Sequence, residues 1–456
     1  MSIPQDQIDP DAAKVVRRLT RNGFSAYLVG GCVRDLVLGR EPADFDVATS
    51  ATPQQVMAIF PETFAVGAQF GVVLVPVRRD GADGRRENYA IEVATFRSDG
   101  AYSDGRHPDQ VQFSSEARLD VQRRDFTING LLLDPITEEI LDYVEGRRDL
   151  ERGIIRTIGS PHLRFAEDKL RMLRAVRFAA RFNYAVEAGT FAAIRELAGQ
   201  IHQVSHERIR DEILKMLTEG RARQAFELLD ATGLLEQVLP EIKKMQGVQQ
   251  PPQFHPEGDV WVHTLMLLEG LPAGCSRTLA LGVLLHDVGK PPTFRVAPDR
   301  IRFDQHAEVG TRMTEQICHR LRLSNDETAQ VSALVANHMR FGDVMRMKES
   351  TLKRFFRLPG FEEHLELHRL DCLSSHRDLT LYDFAREKFQ ALPAEQIRPR
   401  PLITGADLIA AGYRPGPLFK ELLTAVEDAQ LEGTITTKKE AMELVRAKNL
   451  IADHAD

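Results

Sequence analysis

Two aspartates one residue apart, Asp44 and Asp46, stand in the run Ala-Asp-Phe-Asp-Val-Ala-Thr at residues 43–49. On a strand, residues i and i+2 share a face, so both carboxylates point one way while Phe45 and Val47 point into a core. Carboxylates held side by side repel unless a cation lies between them. Oxygen-rich sites of this kind suit Mg²⁺, which keeps waters and takes phosphate oxygens as further ligands. Upstream, Tyr27-Leu28-Val29 is β-prone, and Gly30-Gly31 permits positive φ and close approach of the backbone. The helix that follows offers its N–H groups and positive dipole end to an anion. Arg34, in its first turn, adds a charge that suits phosphate, and Gly31 belongs to the same cradle. A phosphate cradle followed by paired carboxylates reads as metal-assisted phosphoryl or nucleotidyl transfer.

Three further groups carry chemistry. Residues 123–130 read RRDFTING, where Arg123 and Arg124 can neutralise a triphosphate. Asp125 is a candidate third carboxylate, with Glu92 in the strand IEVATF as its competitor. Residues 167–178 read EDKLRMLRAVRF; Leu170, Leu173, Val176 and Ala180 form one buried stripe at helical spacing. Asp168, Arg171, Arg174 and Arg177 recur every third residue along another side. They are either an exposed salt-bridge ladder, worth a few tenths of a kcal/mol per pair, or a base reader. A carboxylate accepts from the exocyclic amine of C or A, an arginine donates to the neighbouring ring acceptor, and G and U present the opposite pattern. Lastly, His263, the adjacent pair His286-Asp287 after the apolar run LALGVLL, His306, His338 and Asp371 supply the imidazoles and carboxylates expected of a hydrolytic metal centre. His255 lies near this set without a firm role, and Lys290 is placed to contact phosphate.

These residues need elements to hold them. Helices are expected at residues 11–22, 32–39 and 52–60, the last capped by Thr52-Pro53. Strands are expected at 27–29, 44–47, 70–77 and 89–96, with a hairpin tip at 78–88 and a polar, glycine-rich loop at 97–111 that reads as mobile. One helix spans much of 160–185, another 206–217, and two more 221–246. The segments 249–253 and 393–401 read as linkers. The fold class is α+β: a head with a small mixed β-sheet over residues 1–150, an all-α neck and body over 151–245, a helical domain over 246–390 and a small helical tail over 395–456.

The 456 residues, 43% hydrophobic and 27% charged, describe an ordinary globular chain with room for about three domains. No apolar run is long enough for a membrane span, and the start lacks the basic and apolar regions of a secretory signal. Four scattered cysteines without a CxxC pair point to reduced thiols and a cytoplasmic address. The net charge of −7 argues against general coating of nucleic acid. Residues 147–224, however, hold 16 Lys+Arg against 10 Asp+Glu, a net of +6 that leaves −13 on the rest, and this suits a localised polyanion contact.

The wording LVGGCVRD…DFDVATSATPQQV, then RRDFTING, EDKLRMLRAVRF and HERIRDEILKML, resembles the bacterial class II tRNA nucleotidyltransferases, that is, the CCA-adding enzymes and poly(A) polymerases. The family motif ends RRDFTINA, so Gly130 is a departure. The resemblance implies that Asp44 and Asp46 hold two Mg²⁺ ions and that Gly31, Arg34 and Arg124 position the triphosphate. It further implies that Asp168 and Arg171 face the base while Arg174 and Arg177 contact nucleotide or phosphate. The activity implied is template-independent addition of C and A to the 3′ end of tRNA from CTP and ATP, with in-line attack by the RNA hydroxyl and loss of pyrophosphate. The loop at 97–111 is similar to one found in enzymes able to add the terminal A. The histidine set resembles the HD phosphohydrolases, with His263, His286, Asp287 and Asp371 as one ligand group and His306 and His338 at positions used for a second metal, either a divalent transition ion or Mg²⁺. Alternatives are a poly(A) polymerase, an enzyme adding only A, or an HD phosphohydrolase whose head merely binds RNA.

Overall fold

Asp9 opens the first helix, α1 (Pro10–Arg21), by accepting from the Asp11 and Ala12 N–H groups at 2.8 and 2.9 Å. The structure, a computed structural model, describes residues 5–64, 71–80, 86–100, 110–253, 255–298 and 300–452. The chain divides into two units, residues 1–240 and 241–456.

The first unit carries the sheet. Strand β1 (Ala26–Val29) leads into α2 (Gly31–Val37), and β2 (Asp46–Thr49) is followed by α3 (Pro53–Ile59). Thr52 and Gln55 close a capping box at the start of α3, as the Thr-Pro signal predicts. The long pair β3 (Val72–Asp80) and β4 (Arg86–Thr95) comes next, then the short pair β5 (Arg97–Asp99) and β6 (Val111–Phe113). Residues 101–109 of the expected loop lie outside the described residues, as does part of the expected hairpin tip. After α4 (Ala117–Gln122) come β7 (Leu131–Leu133) and β8 (Ile140–Asp142), which complete a six-stranded sheet of order β3-β4-β2-β1-β7-β8.

Only β2 and β4 run parallel in this sheet; the other neighbours are antiparallel. A parallel pair needs a crossover, and α3 with β3 supplies it. Beneath the sheet, Val29, Ala48, Phe96, Val121, Leu132 and Ile158 form a core. Gly130 belongs to this packing: a Cβ there would lie 2.7 Å from Val144 Cγ2 and 3.1 Å from Val121 Cγ1. An alanine here would crowd both valines.

Helix α5 (Gly146–Arg152) ends the head, and α6 (Pro161–Glu167), α7 (Leu170–Phe182), α8 (Ala188–Leu197) and α9 (His206–Thr218) follow. The single helix expected over much of 160–185 is two helices, because Asp168 adopts φ −147° and breaks the chain between α6 and α7.

The second unit is helical apart from the hairpin Phe294–Val296 with Ile301–Phe303. Helices Val260–Glu269, Arg277–Leu285, His306–Arg320, Asn325–Asn337 and Phe361–Ser374 pack on one another. In Arg277–Leu285 every residue from Leu279 onward is buried, the mark of a core helix. Gly289 follows closely, and a Cβ there would lie 2.1 Å from the His306 carbonyl oxygen. Only glycine lets the His306 helix come so near the His286-Asp287 pair. The linker expected at 249–253 is instead tied down, since Gln250 is buried and accepts from Lys290 at 2.6 Å. In the segment expected as a second linker, Ala394–Ile397 is a helical turn whose Ile397 carbonyl accepts from Arg357. The tail has its own core of Ile403, Leu408, Leu422, Val426, Ala441 and Val445, and Glu427 pairs with Arg354 and Arg357 of the preceding body.

Candidate active site and a second ligand cluster

The sheet register assembles the first site. Asp46, the first residue of β2, lies opposite Val29 on one side and Glu92 on the other. Val29 is the last residue of β1, so the turn at Gly30 (φ +78°) begins beside Asp46. Asp44 does not share the strand: it lies exposed in the loop before it, and Phe45 is half-buried rather than a core residue. Asp44 nevertheless acts on the same field. Burial, Glu92 and Asp44 together push the Asp46 carboxyl up to about 7, against a lowering by Arg124. Partial desolvation and Asp44 likewise raise Glu92, again opposed by Arg124. Three carboxylates and one guanidinium thus share a small region at the mouth of the glycine turn, where a Cβ on Gly30 would lie 3.4 Å from Arg124 Nη1.

Arg124 is itself aimed by a neighbour. Arg123 and Arg124 both donate to the buried carboxylate of Asp120, at 2.6 and 2.9 Å for the closer contacts. Burial opposes ionisation of Asp120, but the two guanidinium groups hold its carboxyl below its ordinary value.

Other residues singled out by the sequence sit elsewhere. Arg34 is 4% exposed and fully engaged: its Nε and Nη2 donate to Asp35, its Nη1 to Asn129, and its plane lies over Phe178 and Phe182. It braces α2 against α7. Asp125 is held by Arg174 at 2.6 Å and by the Asn129 amide at 3.0 Å. Burial would raise its carboxyl, yet Arg174 and Asn129 bring it down to about 2. The carboxylate whose strand register places it with Asp46 is Glu92.

At the α6–α7 break, Asp168 accepts from Arg208 of α9 through both oxygens, at 3.2 and 2.8 Å. Arg171 donates to Glu167 at 2.7 Å and to the Arg123 carbonyl at 3.1 Å. Arg177 is 5% exposed and paired with Glu212 at 2.6 Å. The every-third-residue ladder is thus neither a solvated face nor one continuous reading edge. Its members are cross-links to three other elements, with Asp168 and Arg171 flanking the break. Sequence reasoning missed Arg208 and Glu212; the segment HERIRDEILKML that carries them was visible, but nothing in it named their partners.

Comparison with known proteins then supplies the family. Residues 26–156 match the model of the poly A polymerase head domain, 183–246 that of a probable RNA and SrmB-binding site of polymerase A, and 305–445 a putative tRNA nucleotidyltransferase domain 2. A CCA-adding enzyme of Enterococcus faecalis is 34% identical over 95% of this chain and 94% of its own. The chain belongs to the CCA-adding enzyme family. The solved structure of the Bacillus stearothermophilus CCA-adding enzyme in complex with CTP superposes with a TM-score of 0.73 at 27% identity, covering 98% of this chain and all of that one. Poly(A) polymerase I of Haemophilus influenzae is 41% identical, but over only 51% of this chain and 52% of its own.

This family member carries a second cluster, in the unit 241–456. His286 Nδ1 lies 2.8 Å from the Val283 carbonyl, His306 Nδ1 2.9 Å from that of Phe303, and His338 Nδ1 2.6 Å from that of Val335. A carbonyl only accepts, so each of these rings carries its proton on Nδ1 and turns an Nε2 lone pair inward. The lone pairs converge on Asp287: its Oδ2 lies 3.2 Å from His286 Nε2, and its Oδ1 lies 3.7 and 3.8 Å from the Nε2 atoms of His306 and His338. His306 and His338 also face each other, Nε2 to Nε2, at 3.3 Å. His263 Nε2 lies 3.4 Å from His286 Nε2 and 3.1 Å from Asp371 Oδ1. Five of the six expected ligands fall in two groups that share Asp287, and Asp371 joins them through its contact with His263. Inward-facing imidazole lone pairs gathered on a carboxylate are a donor set that fits a divalent cation. Lys290, buried, adds a charge 2.7 Å from Asp287 Oδ2. A cavity of about 430 Å³ opens over Asp287, His306, His338 and Asp371, with His255, Lys290 and Phe303 in its walls. No helix among the described residues is long and apolar enough to cross a membrane.

Proposed function

We propose that this chain adds C and A nucleotides to the 3′ end of tRNA, using CTP and ATP and releasing pyrophosphate. The observation that carries the reading is the register that sets Asp46 opposite Glu92, with Arg124 acting on both. Asp44, Asp46 and Glu92 are the ligands for divalent cations, Mg²⁺ by preference for carboxylate oxygen. Bound there, the cations supply an activated RNA 3′-hydroxyl and charge neutralisation on the triphosphate. Arg124, oriented by Asp120, and the N–H groups at the Gly30 turn receive the phosphates. Asp168 and Arg171, beside the break after α6, present the carboxylate and guanidinium that select C and A. Arg34, Asp125, Arg174 and Arg177 hold that frame in place. The full-length likeness to CCA-adding enzymes, against a half-length likeness to a poly(A) polymerase, favours a reaction that stops at CCA. The four unpaired thiols suit a reducing compartment such as the cytoplasm.

The test uses purified protein, Mg²⁺ and three tRNA transcripts: lacking CCA, ending in C, and ending in CC. Each receives labelled CTP or ATP, and products are resolved to single nucleotides. Ordered addition that stops after CCA supports the reading. Incorporation of A alone, or a growing A tail, replaces it with an A-adding enzyme or a poly(A) polymerase.

A second reading rests on the convergence of imidazole lone pairs on Asp287. The unit 241–456 is a metal-dependent phosphoesterase of the HD type, with His263, His286, Asp287 and Asp371 as one ligand group and His306 and His338 completing a second around Asp287. Loaded with divalent cations, such a centre supplies an activated water; Lys290, in the cavity wall, meets the phosphate.

A further inference from the structure

We propose that Glu257 is the positioning residue of the histidine–aspartate centre, fixing the ring of His263 and linking it to the cavity wall through His255. The inference rests on the phosphoesterase reading of that centre. Three of the four histidines are oriented by backbone carbonyls, those of Val283, Phe303 and Val335. His263 alone has no such carbonyl. Its Nδ1 lies 2.7 Å from Glu257 Oε1, while its Nε2 faces His286 and Asp371. Glu257 therefore offers by a side chain what backbone carbonyls offer the other three, an acceptor beside Nδ1; here the oxygen sits at ion-pair distance, off the line of the N–H bond, and leaves the Nε2 lone pair for the centre. A carboxylate is also a stronger acceptor than a carbonyl, so this ring is the most electron-rich of the four.

The same Oε1 lies 2.9 Å from His255 Nδ1. His255 lines the cavity, and its ring packs edge-on to His263 with centroids 4.8 Å apart. One buried oxygen thus bonds the His255 ring on the cavity side and touches the His263 ring on the other. The Glu257 side chain is only 4% exposed, and its Oε2 is buried without a hydrogen-bond partner. Burying a carboxylate this way is costly unless its contacts matter elsewhere. The sequence places Glu257 two residues after His255 and six before His263.

The test measures Ni²⁺ binding to the full-length protein, since Ni²⁺ prefers imidazole. His286→Ala reports the affinity left without the centre. Glu257→Leu removes the acceptor at similar volume and should weaken the His286-dependent site about 10–100-fold. Glu257→Gln, whose amide oxygen accepts as the carbonyls do, should restore most of it. In ¹⁵N spectra of labelled histidines, His263 should be protonated on Nδ1 in the wild type and in Glu257→Gln, and should lose that preference in Glu257→Leu. ATP incorporation into tRNA should be unchanged throughout, which establishes that the variants are folded. Wild-type Ni²⁺ affinity in Glu257→Leu, or a Glu257→Gln site as weak as Glu257→Leu, overturns the proposal. Ni²⁺ binding that does not depend on His286 removes the centre itself, and the proposal with it.

Discussion

Asp168 is gripped by Arg208, through hydrogen bonds of 3.2 and 2.8 Å to its two oxygens, while Arg171 is bound to Glu167. The two residues proposed to read the base are therefore each aimed by a partner, and Asp168 is aimed from a helix some forty residues away. Removing Arg208 frees the carboxylate without deleting it. In Arg208→Ala, kcat/KM for CTP and ATP should fall about tenfold or more while tRNA affinity stays within a few-fold. Misincorporation of GTP and UTP should rise. Steady-state kinetics with all four nucleotides checks this, and unchanged selectivity would sink the role given to Arg208.

Asp125 is a brace in this account. Its carboxyl sits at about 2 because Arg174 and Asn129 outweigh burial. Folding lowers its pKa, so its contribution is full above the ordinary carboxylate range and is lost as pH falls towards 2. Asp125→Ala should destabilise the protein by about 2 kcal/mol at pH 7. Asp125→Asn should flatten the acid limb of a stability–pH curve, as followed by denaturant melts of wild type and variant.

Asp46 behaves in the opposite sense. Burial, Glu92 and Asp44 raise it to about 7. A carboxyl raised on folding costs stability as pH climbs from the ordinary carboxylate range to 7, because the unfolded chain gives up its proton first. Metal-free Asp46→Asn should therefore melt at a higher temperature than wild type at pH 8, with the gap closing near pH 4. Added Mg²⁺ should stabilise the wild type more as pH rises through 7, and should not stabilise the variant.

The two sites separate by substitution. Asp287→Ala should abolish phosphoesterase activity on a chromogenic phosphodiester in the presence of divalent metal and leave nucleotide addition intact. Asp46→Ala should do the reverse while keeping tRNA binding within a few-fold. Loss of addition in Asp287→Ala would mean that the two reactions are coupled.

Much of this was legible in local pattern. The β1–turn–α2 unit and the Thr52 cap follow from spacing and residue type, and the histidines and aspartates singled out in the second half of the chain lie together. What was not legible depends on register and pairing. Asp44 and Asp46 look like one strand face, but β2 starts at Asp46, and the partner across the sheet is Glu92, 46 residues on in sequence. The net charge of +6 over residues 147–224 suggests a polyanion surface, yet Arg174, Arg177 and Arg208 go into ion pairs with Asp125, Glu212 and Asp168. Helical periodicity says which face a residue occupies, but not which distant carboxylate meets it. Arg34 misled for the same reason: a first-turn arginine suits phosphate, but Asp35, Asn129 and two phenylalanine rings claim it.

The most direct measurement is single-turnover AMP incorporation into a CC-ended tRNA by Glu92→Gln, a substitution that keeps shape and removes charge. The account predicts a fall on the order of 100-fold or more, partly recovered at high Mg²⁺, with tRNA affinity unchanged. Incorporation at the wild-type rate would contradict the placing of the third metal ligand on β4, and with it the assembly of this site from the β2–β4 register.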